Sequence, residues 1–352
     1  MHTLRKSMLG AIALLAGAVA AAAPAESRAV VSSGNSLALQ TVPTPKPAAG
    51  QVLIKVYAAG VNPVDWKRQA QVPGFDVAGI IDSVGPGVTN FKAGDAVFAR
   101  ATGGYAEYAV APADNTVAKP KSFTFEQAAG IPVAGVAGYR AAEEAKLQPG
   151  QRVAIIGAAG GAGEAAVQVA KTHGAKIIAI GHSSQEAFLK GLGVDQFVAF
   201  DKDDVAAKVR DVDASLNLVD GQAAAALGYV KRGGRFTSIA GSPGDDKLQA
   251  AGVTGVVVAA GTYRGISDGD ALRGLAQLAD KGQYKVTVSR TFPLSEAAQA
   301  QQLGRTGQSI GKIILVVDPE KSTSGARRGC VPMRGCSTSV IHPLTSPMPP
   351  SA

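Results

Sequence analysis

Apolar and polar positions follow two rhythms along this chain, one after the other. From Ala29 to about Ala118 the apolar residues fall in short runs, Val52–Ala58, Val77–Val84, Ala96–Ala99 and Ala106–Val110, with Pro86-Gly87 and Ala93-Gly94-Asp95 as turns. Runs of that length and punctuation predict β-strands, mostly antiparallel. From Phe125 the pattern becomes strand–helix alternation. Helices over Phe125–Gly130 and Gly138–Ala145 lead to a buried strand at Arg152–Ile156, then helix 162–173, strand 176–181, helix 185–191 and strands at 196–200, 214–219, 235–240 and 255–260. This alternation predicts a parallel sheet covered by helices on both faces. A short strand at Val286–Val288, a helix at Ser295–Leu303 and a strand at Lys312–Val317 predict a return to the first unit. The organisation expected is therefore an antiparallel domain, 26–122 with 285–318, interrupted by an α/β domain, 123–284.

The two ends depart from both rhythms. Arg5 and Lys6 precede an uncharged run, Met8–Ala23, that closes on Ala23-Pro24-Ala25. This reads as a signal peptide over 1–25, and implies export to a periplasmic or extracellular space. The run is shorter than the roughly 20 residues of a membrane span. An uncleaved anchor, or a start codon placed upstream of the true one in a cytoplasmic protein, are the alternatives. Pro319–Ala352 is rich in Ser, Pro, Arg and Thr without periodicity, and predicts a disordered tail.

Composition narrows the function. With 352 residues, 46% hydrophobic and 18% charged, the chain can bury large cores. Its 2 cysteines, Cys330 and Cys336, both lie in the tail, where they could pair in an oxidising compartment, and His2 and His342 are among only 4 histidines. A disulfide scaffold and a multi-ligand zinc site are thereby nearly excluded. The net charge of +8 includes +2 from residues 1–25 and +3 from 320–352, which leaves the body only +3. That is an ordinary surface, not one that tracks nucleic-acid phosphates.

The chemistry concentrates where strand Arg152–Ile156 runs into Gly157-Ala158-Ala159-Gly160-Gly161-Ala162-Gly163 and then a helix. Glycines let backbone approach a pyrophosphate, whose charge meets the N–H groups and positive dipole of the helix. The next strand ends at Gly181-His182-Ser183-Ser184, with no Asp or Glu to accept from a ribose 2′-hydroxyl. Ser183 and Ser184 could instead donate to a 2′-phosphate, with His182 or Lys190 adding charge, which favours NADPH. The same serines also suit the cap of the following helix.

The chain resembles the medium-chain dehydrogenase/reductase superfamily, in its zinc-independent quinone reductase (zeta-crystallin-like) branch, over about residues 28–318. The residues that carry the resemblance are Ala58-Ala59-Gly60-Val61-Asn62-Pro63-Val64-Asp65-Trp66-Lys67, Pro73-Gly74-Phe75-Asp76-Val77-Ala78-Gly79, Val84–Val88, Phe91–Asp95, Gly103–Tyr108, the glycine loop, Gly233-Gly234-Arg235 and Gly311-Lys312-Ile313-Ile314. The resemblance implies a GroES-like β domain plus a Rossmann domain, with the active site between them and homodimers paired through the strand near 255–260. Zinc-dependent relatives place a Cys where Asn62 stands and a His-Glu pair where Phe75-Asp76 stands, so no metal is expected. Without a Lewis acid, alcohol oxidation is disfavoured, and an activated acceptor such as a quinone or conjugated enone is the expected substrate.

The same resemblance places Asn62 near the nicotinamide as a catalytic residue, though an Asn-Pro pair also forms turns. Asp65 and Lys67 are the other catalytic candidates, against a structural ion pair or plain surface charge. Cofactor contacts are expected from Gly157, Ala159, Gly160, Gly161, Ala162, Gly163, Ser183, Ser184, Tyr139 and Lys312, although Tyr139, between Gly138 and Ala141, equally suits a core position. Three departures open an alternative, a catalytically degenerate cofactor-binding or scaffold protein. Only Arg68–Val72 join the Asp-Trp-Lys and Pro-Gly-Phe-Asp segments, about ten residues fewer than in relatives. Ala137 replaces a threonine, and Asn217-Leu218-Val219-Asp220-Gly221 replaces an Asp-x-Val-Gly-Gly pattern.

Overall fold

A computed structural model describes residues 23–318 apart from 35, 69 and 259–262. Most of the expected signal peptide, and all of the expected tail with Cys330 and Cys336, lie outside the described residues. Among the described residues no helix is long and apolar enough to cross a membrane.

Strands β1 (Glu26–Ser33) and β2 (Ser36–Pro43) form an antiparallel hairpin in full register. The main antiparallel sheet then builds from β3 (Gln51–Gly60), β4 (Asp76–Val84), β5 (Ala96–Arg100), β6 (Tyr108–Pro112) and β7 (Thr116–Ala118), with the short helix α1 (Pro63–Lys67) between β3 and β4. Nearly all of β3 is buried, because the strand is central and covered on both faces. Helix α2 (Phe125–Ala129), capped by Thr124, leads through a π-helical turn at Ile131–Gly135 into α3 (Val136–Glu144). The expected helices, 125–130 and 138–145, leave this turn between them, and Pro132 lies in it. Proline is tolerated in a first turn, whose N–H groups have no intrahelical acceptor.

The α/β unit follows: β8 (Arg152–Ile156), α4 (Gly161–Thr172), β9 (Lys176–Gly181), α5 (Glu186–Gly191), β10 (Gln196–Ala199), α6 (Val205–Lys208), β11 (Val212–Asn217), α7 (Ala223–Gly228), β12 (Val230–Ser238), α8 (Asp245–Ala251), β13 (Thr254–Val257) and α9 (Asp268–Asp280). Its sheet is parallel throughout, in the order β10-β9-β8-β11-β12-β13. The order reverses beside β8, where the glycine loop leaves the sheet, and ligands of such sheets bind at that point.

The chain then returns as β14 (Val288–Pro293), α10 (Ala297–Arg305) and β15 (Lys312–Val316), completing a seven-stranded sheet in the order β14-β15-β3-β4-β5-β7 with β6 on β3. β14 lies later than the expected Val286–Val288. It is an edge strand whose Ser289, Arg290 and Thr291 face solvent, so counting apolar residues misses it. One core joins the two sheets, running from Tyr57 and Phe98 through Phe125 and Ile131 to Ile155 and Leu275.

Candidate active site

The glycine loop follows β8. Gly157 has φ +80°, a left-handed conformation that L side chains rarely adopt, and its amide donates to Ile180 O of the neighbouring strand at 3.2 Å. A Cβ at Gly163 would sit 2.2 Å from Gly157 O, so only glycine lets α4 pack this close under the loop. At Gly160 a Cβ would meet nothing nearer than Gly157 O at 3.7 Å, so the backbone there faces open space. The first-turn amides of Gly161, Ala162 and Gly163 have no acceptor within the helix. An open backbone face at a helix N-terminus, where the amides of Ala162 and Gly163 need partners, fits a dinucleotide pyrophosphate. Gly161 serves differently from expectation. A Cβ there would lie 2.6 Å from the Lys312 side chain, so this glycine makes room for the first residue of β15.

Strand β15 is held against the loop, with Gly311 N–H donating to Ala159 O at 2.8 Å. The Glu164 carboxylate in the first turn of α4 accepts from the Thr287 hydroxyl at 2.6 Å, which ties the segment leading to β14 down at the same place. The phosphate loop and the catalytic sheet are therefore one construction.

Beneath the contact lies a buried polar cluster. Lys312 Nζ donates to Asn62 Oδ1 at 2.5 Å and to Val61 O at 3.0 Å, and lies 3.4 Å from Asp76 Oδ2. Asp76 Oδ2 also accepts from Asn62 Nδ2 at 2.8 Å, and its Oδ1 accepts from Val133 N–H at 2.7 Å. Lys312, expected at the cofactor, thus turns its ammonium into the catalytic sheet, and only its methylenes touch the loop. Burial would expose a lone ammonium to a large desolvation cost, and Asn62 and Asp76 supply the acceptors that offset it.

Asn62, the first-choice catalytic residue, is 2% exposed with both ends of its amide held by Lys312 and Asp76. It caps α1, with Pro63 in the first turn and its own N–H donating to Asp65 Oδ2 at 2.8 Å. Its place is that of a positioning residue. Asp65 is likewise internal, and its Oδ2 accepts a second hydrogen bond from Tyr105 Oη at 2.8 Å. The candidate catalytic carboxylate therefore anchors α1 from inside.

Burial, and then the nearby Asp76, push the Asp65 carboxyl up to about 7. The cluster has one ammonium and two carboxyls, so charge balances when one acid keeps its proton. Asp65 Oδ1, buried with no hydrogen-bond partner, has room for it. A folded-state value above the ordinary 3.8 means that this group's stabilisation is complete below that value and is lost as pH rises through about 7. Asp65→Asn keeps an oxygen for Asn62 N–H and Tyr105 while abolishing the titration. Melting temperature measured from pH 5 to 9 should fall less steeply in the variant, with the variant ahead at the alkaline end. Parallel profiles would contradict this assignment.

Lys67 is the candidate that faces outward. Its Nζ pairs with Asp220 Oδ2 at 2.6 Å, reaching from α1 to the loop after β11. That loop also packs on the start of the glycine loop, where Val219 Cγ2 would be 2.5 Å from a Cβ on Gly157. Lys67, half exposed, is thus tied through Asp220 to the segment that packs on the start of the glycine loop. The sequence shows Asp220 only as a departure from a glycine pattern, and its pairing across 153 positions is set by the fold.

Three expected cofactor contacts have protein partners of their own. Tyr139 packs between α3 and α9, its hydroxyl 2.6 Å from where a Gly274 Cβ would be, so it belongs to the helix interface. Ser183 Oγ donates to Asp201 Oδ2 at 2.7 Å, and Ser184 Oγ lies 2.9 Å from His182 Nδ1. Lys190, the other expected cation, pairs with Glu186 at 2.7 Å.

Known proteins give this geometry a family. An alcohol dehydrogenase GroES-like domain model matches residues 48–121, and a zinc-binding dehydrogenase model matches 192–315. A quinone oxidoreductase of Rattus norvegicus is 32% identical over 305 residues, covering 78% of this chain and 92% of that protein. A chloroplastic NADPH-dependent alkenal/one oxidoreductase of Arabidopsis thaliana is 29% identical, covering 76% of this chain and 72% of that one. Among solved structures, a quinone oxidoreductase from Coxiella burnetii superimposes with a TM-score of 0.74 at 29% identity, covering 83% of this chain and 99% of its own. The glycine loop, the sheet order and these matches over most of the chain make it a member of the medium-chain dehydrogenase/reductase superfamily, in the zinc-independent quinone reductase branch.

Proposed function

We propose that this protein reduces a quinone or the carbon–carbon double bond of a conjugated enone, using a reduced nicotinamide dinucleotide. The observation that carries the reading is the open backbone face at Gly160, set at the N-terminus of α4. The names of the relatives, quinone oxidoreductase and alkenal/one oxidoreductase, support the same acceptor class. The dinucleotide, when bound, supplies the hydride. The chain supplies three things: the pyrophosphate cradle, the buried Lys312–Asn62–Asp76 cluster that fixes α1 against the loop, and a cation where negative charge develops on the acceptor oxygen. Lys67 is that cation. Its ammonium stabilises the enolate or hydroquinone anion, and solvent at the exposed mouth delivers the closing proton.

The test is consumption of reduced dinucleotide with a panel of quinones and enones, beside dinucleotide binding measured by fluorescence. Binding without turnover would favour the degenerate scaffold instead. Lys67→Met should lower kcat about 10- to 100-fold with cofactor affinity retained, less than for a buried donor because the ammonium is half exposed. Lys67→Arg should recover much of the rate. Turnover by Lys67→Met equal to wild type would remove Lys67 from the chemistry.

A further inference from the structure

The acid missing from the end of β9 is supplied from β10. The two strands run parallel with Ala199 opposite Gly181, and Phe200 N–H donates to Gly181 O at 3.0 Å, so the residues after both strands emerge side by side. β9 is also the neighbour of β8, whose glycine loop bonds Ile180 O. Residues 182–184 and 200–201 therefore border the position where the adenosine half of a dinucleotide lies when its pyrophosphate rests on such a loop. Asp201 reaches into this corner. Its Oδ1 accepts from Ser183 N–H at 2.7 Å and its Oδ2 from Ser183 Oγ at 2.7 Å, with His182 Nε2 at 3.5 Å. Those hydrogen bonds from Ser183 hold the carboxyl below the ordinary carboxylate range, so it is ionised at neutral pH.

Beside it, Phe200 is 59% exposed, one of three large apolar side chains left open among the described residues, with its ring 5.8 Å from that of His182 in an edge contact. An exposed ring next to a fixed carboxylate is the pair of features that an adenosine needs, a flat wall for the base and an acceptor for the ribose.

We propose that Asp201 is the cofactor-selecting residue and makes this an NADH-preferring site: the carboxylate accepts the adenosine ribose 2′-hydroxyl and repels a 2′-phosphate, with Phe200 as the wall for adenine. The inference rests on the dinucleotide reading of the glycine loop and sharpens it. A carboxylate carries spare lone pairs after two hydrogen bonds, so the Ser183 contacts fix its aim without exhausting it. The same contacts spend the hydroxyl that a 2′-phosphate would need. The basic side chains nearby already face carboxylates, His182 with Asp201, Lys190 with Glu186 and Lys208 with Asp203. Among the described residues of this corner Lys202 remains, exposed, and a single solvated lysine does not outweigh an anchored like charge beside a dianion.

Fluorescence titration of the whole protein with NADH and with NADPH tests this without any acceptor. NADH is expected to bind at least about tenfold tighter, the effect of one like charge in a partly solvated corner. Asp201→Asn, which keeps the size and the tie to Ser183, is expected to tighten NADPH, weaken NADH slightly and close most of the gap. Phe200→Ala is expected to weaken both cofactors alike. Tighter NADPH than NADH in the wild type, or an unchanged ratio in Asp201→Asn, overturns the assignment while leaving the dinucleotide site intact. Failure of the wild type to bind either cofactor sinks the site itself, and the inference with it.

Discussion

Replacing Lys312 by Met is expected to cost the fold about 3–5 kcal/mol, the effect of removing one partner from a buried ion pair. The side chain is 4% exposed, and Asp76 opposite it is fully buried. With the ammonium gone, Asp76 keeps its hydrogen bonds to Val133 and Asn62 but loses the cation that sits 3.4 Å away. Met is close to Lys in length and would still pack against Gly161, so the loss would report charge, not volume. The control is the double variant Lys312→Met with Asp76→Asn. The Asn62 amide can then turn to accept from the amide that the second substitution introduces, and most of the lost stability should return. Urea unfolding of the four proteins in this cycle measures the coupling directly. A single variant as stable as the wild type, or a double variant no better than Lys312→Met, would show that the cluster is not held by its charge.

The cluster marks where sequence reasoning reaches its limit. The glycine loop is legible because every part of it is contiguous: strand, loop and helix follow one another, and the role of each glycine is set largely by its neighbours. The α/β unit is legible for the same reason, its buried strands reading as unbroken apolar runs. Lys312 and Asn62 are 250 positions apart and meet only because β15 returns across the molecule to pair with β3. Taken singly, each points to the ligand, whereas the fold assigns them to one another. Ser183 and Asp201 likewise meet only in the fold, over a shorter span. The end of the second parallel strand holds no acid, and the carboxylate arrives from the third. One signal is available: Asp201 follows the expected strand 196–200 directly, and parallel neighbours end on the same edge. The β1–β2 hairpin and β14 are illegible for another reason. Their solvent faces are polar, and so brief an apolar alternation does not stand out from a loop.

Gly160→Val is expected to abolish useful dinucleotide binding, weakening both NADH and NADPH by at least about 100-fold, or about 2.7 kcal/mol. The reason is steric and local. Gly160 has φ −73° and ψ 169°, extended backbone that a β-branched residue adopts readily, so the substitution brings no backbone strain. Beyond its chain neighbours, the added Cβ would meet no atom closer than Gly157 O at 3.7 Å, so the position has room. The added methyls project into the space where a pyrophosphate must approach the α4 amides, and each ångström of withdrawal weakens those charge-assisted hydrogen bonds. Melting temperature should match the wild type. Gly161→Val, one residue on, is the contrast: its Cβ would lie 2.6 Å from the Lys312 side chain, so it should destabilise the protein by disturbing the buried cluster. Titrating both cofactors against both variants, with melting curves on the same samples, separates occlusion from unfolding. Wild-type cofactor affinity in Gly160→Val would mean that the dinucleotide is not held by this loop, and the site would then have to be sought elsewhere on the molecule.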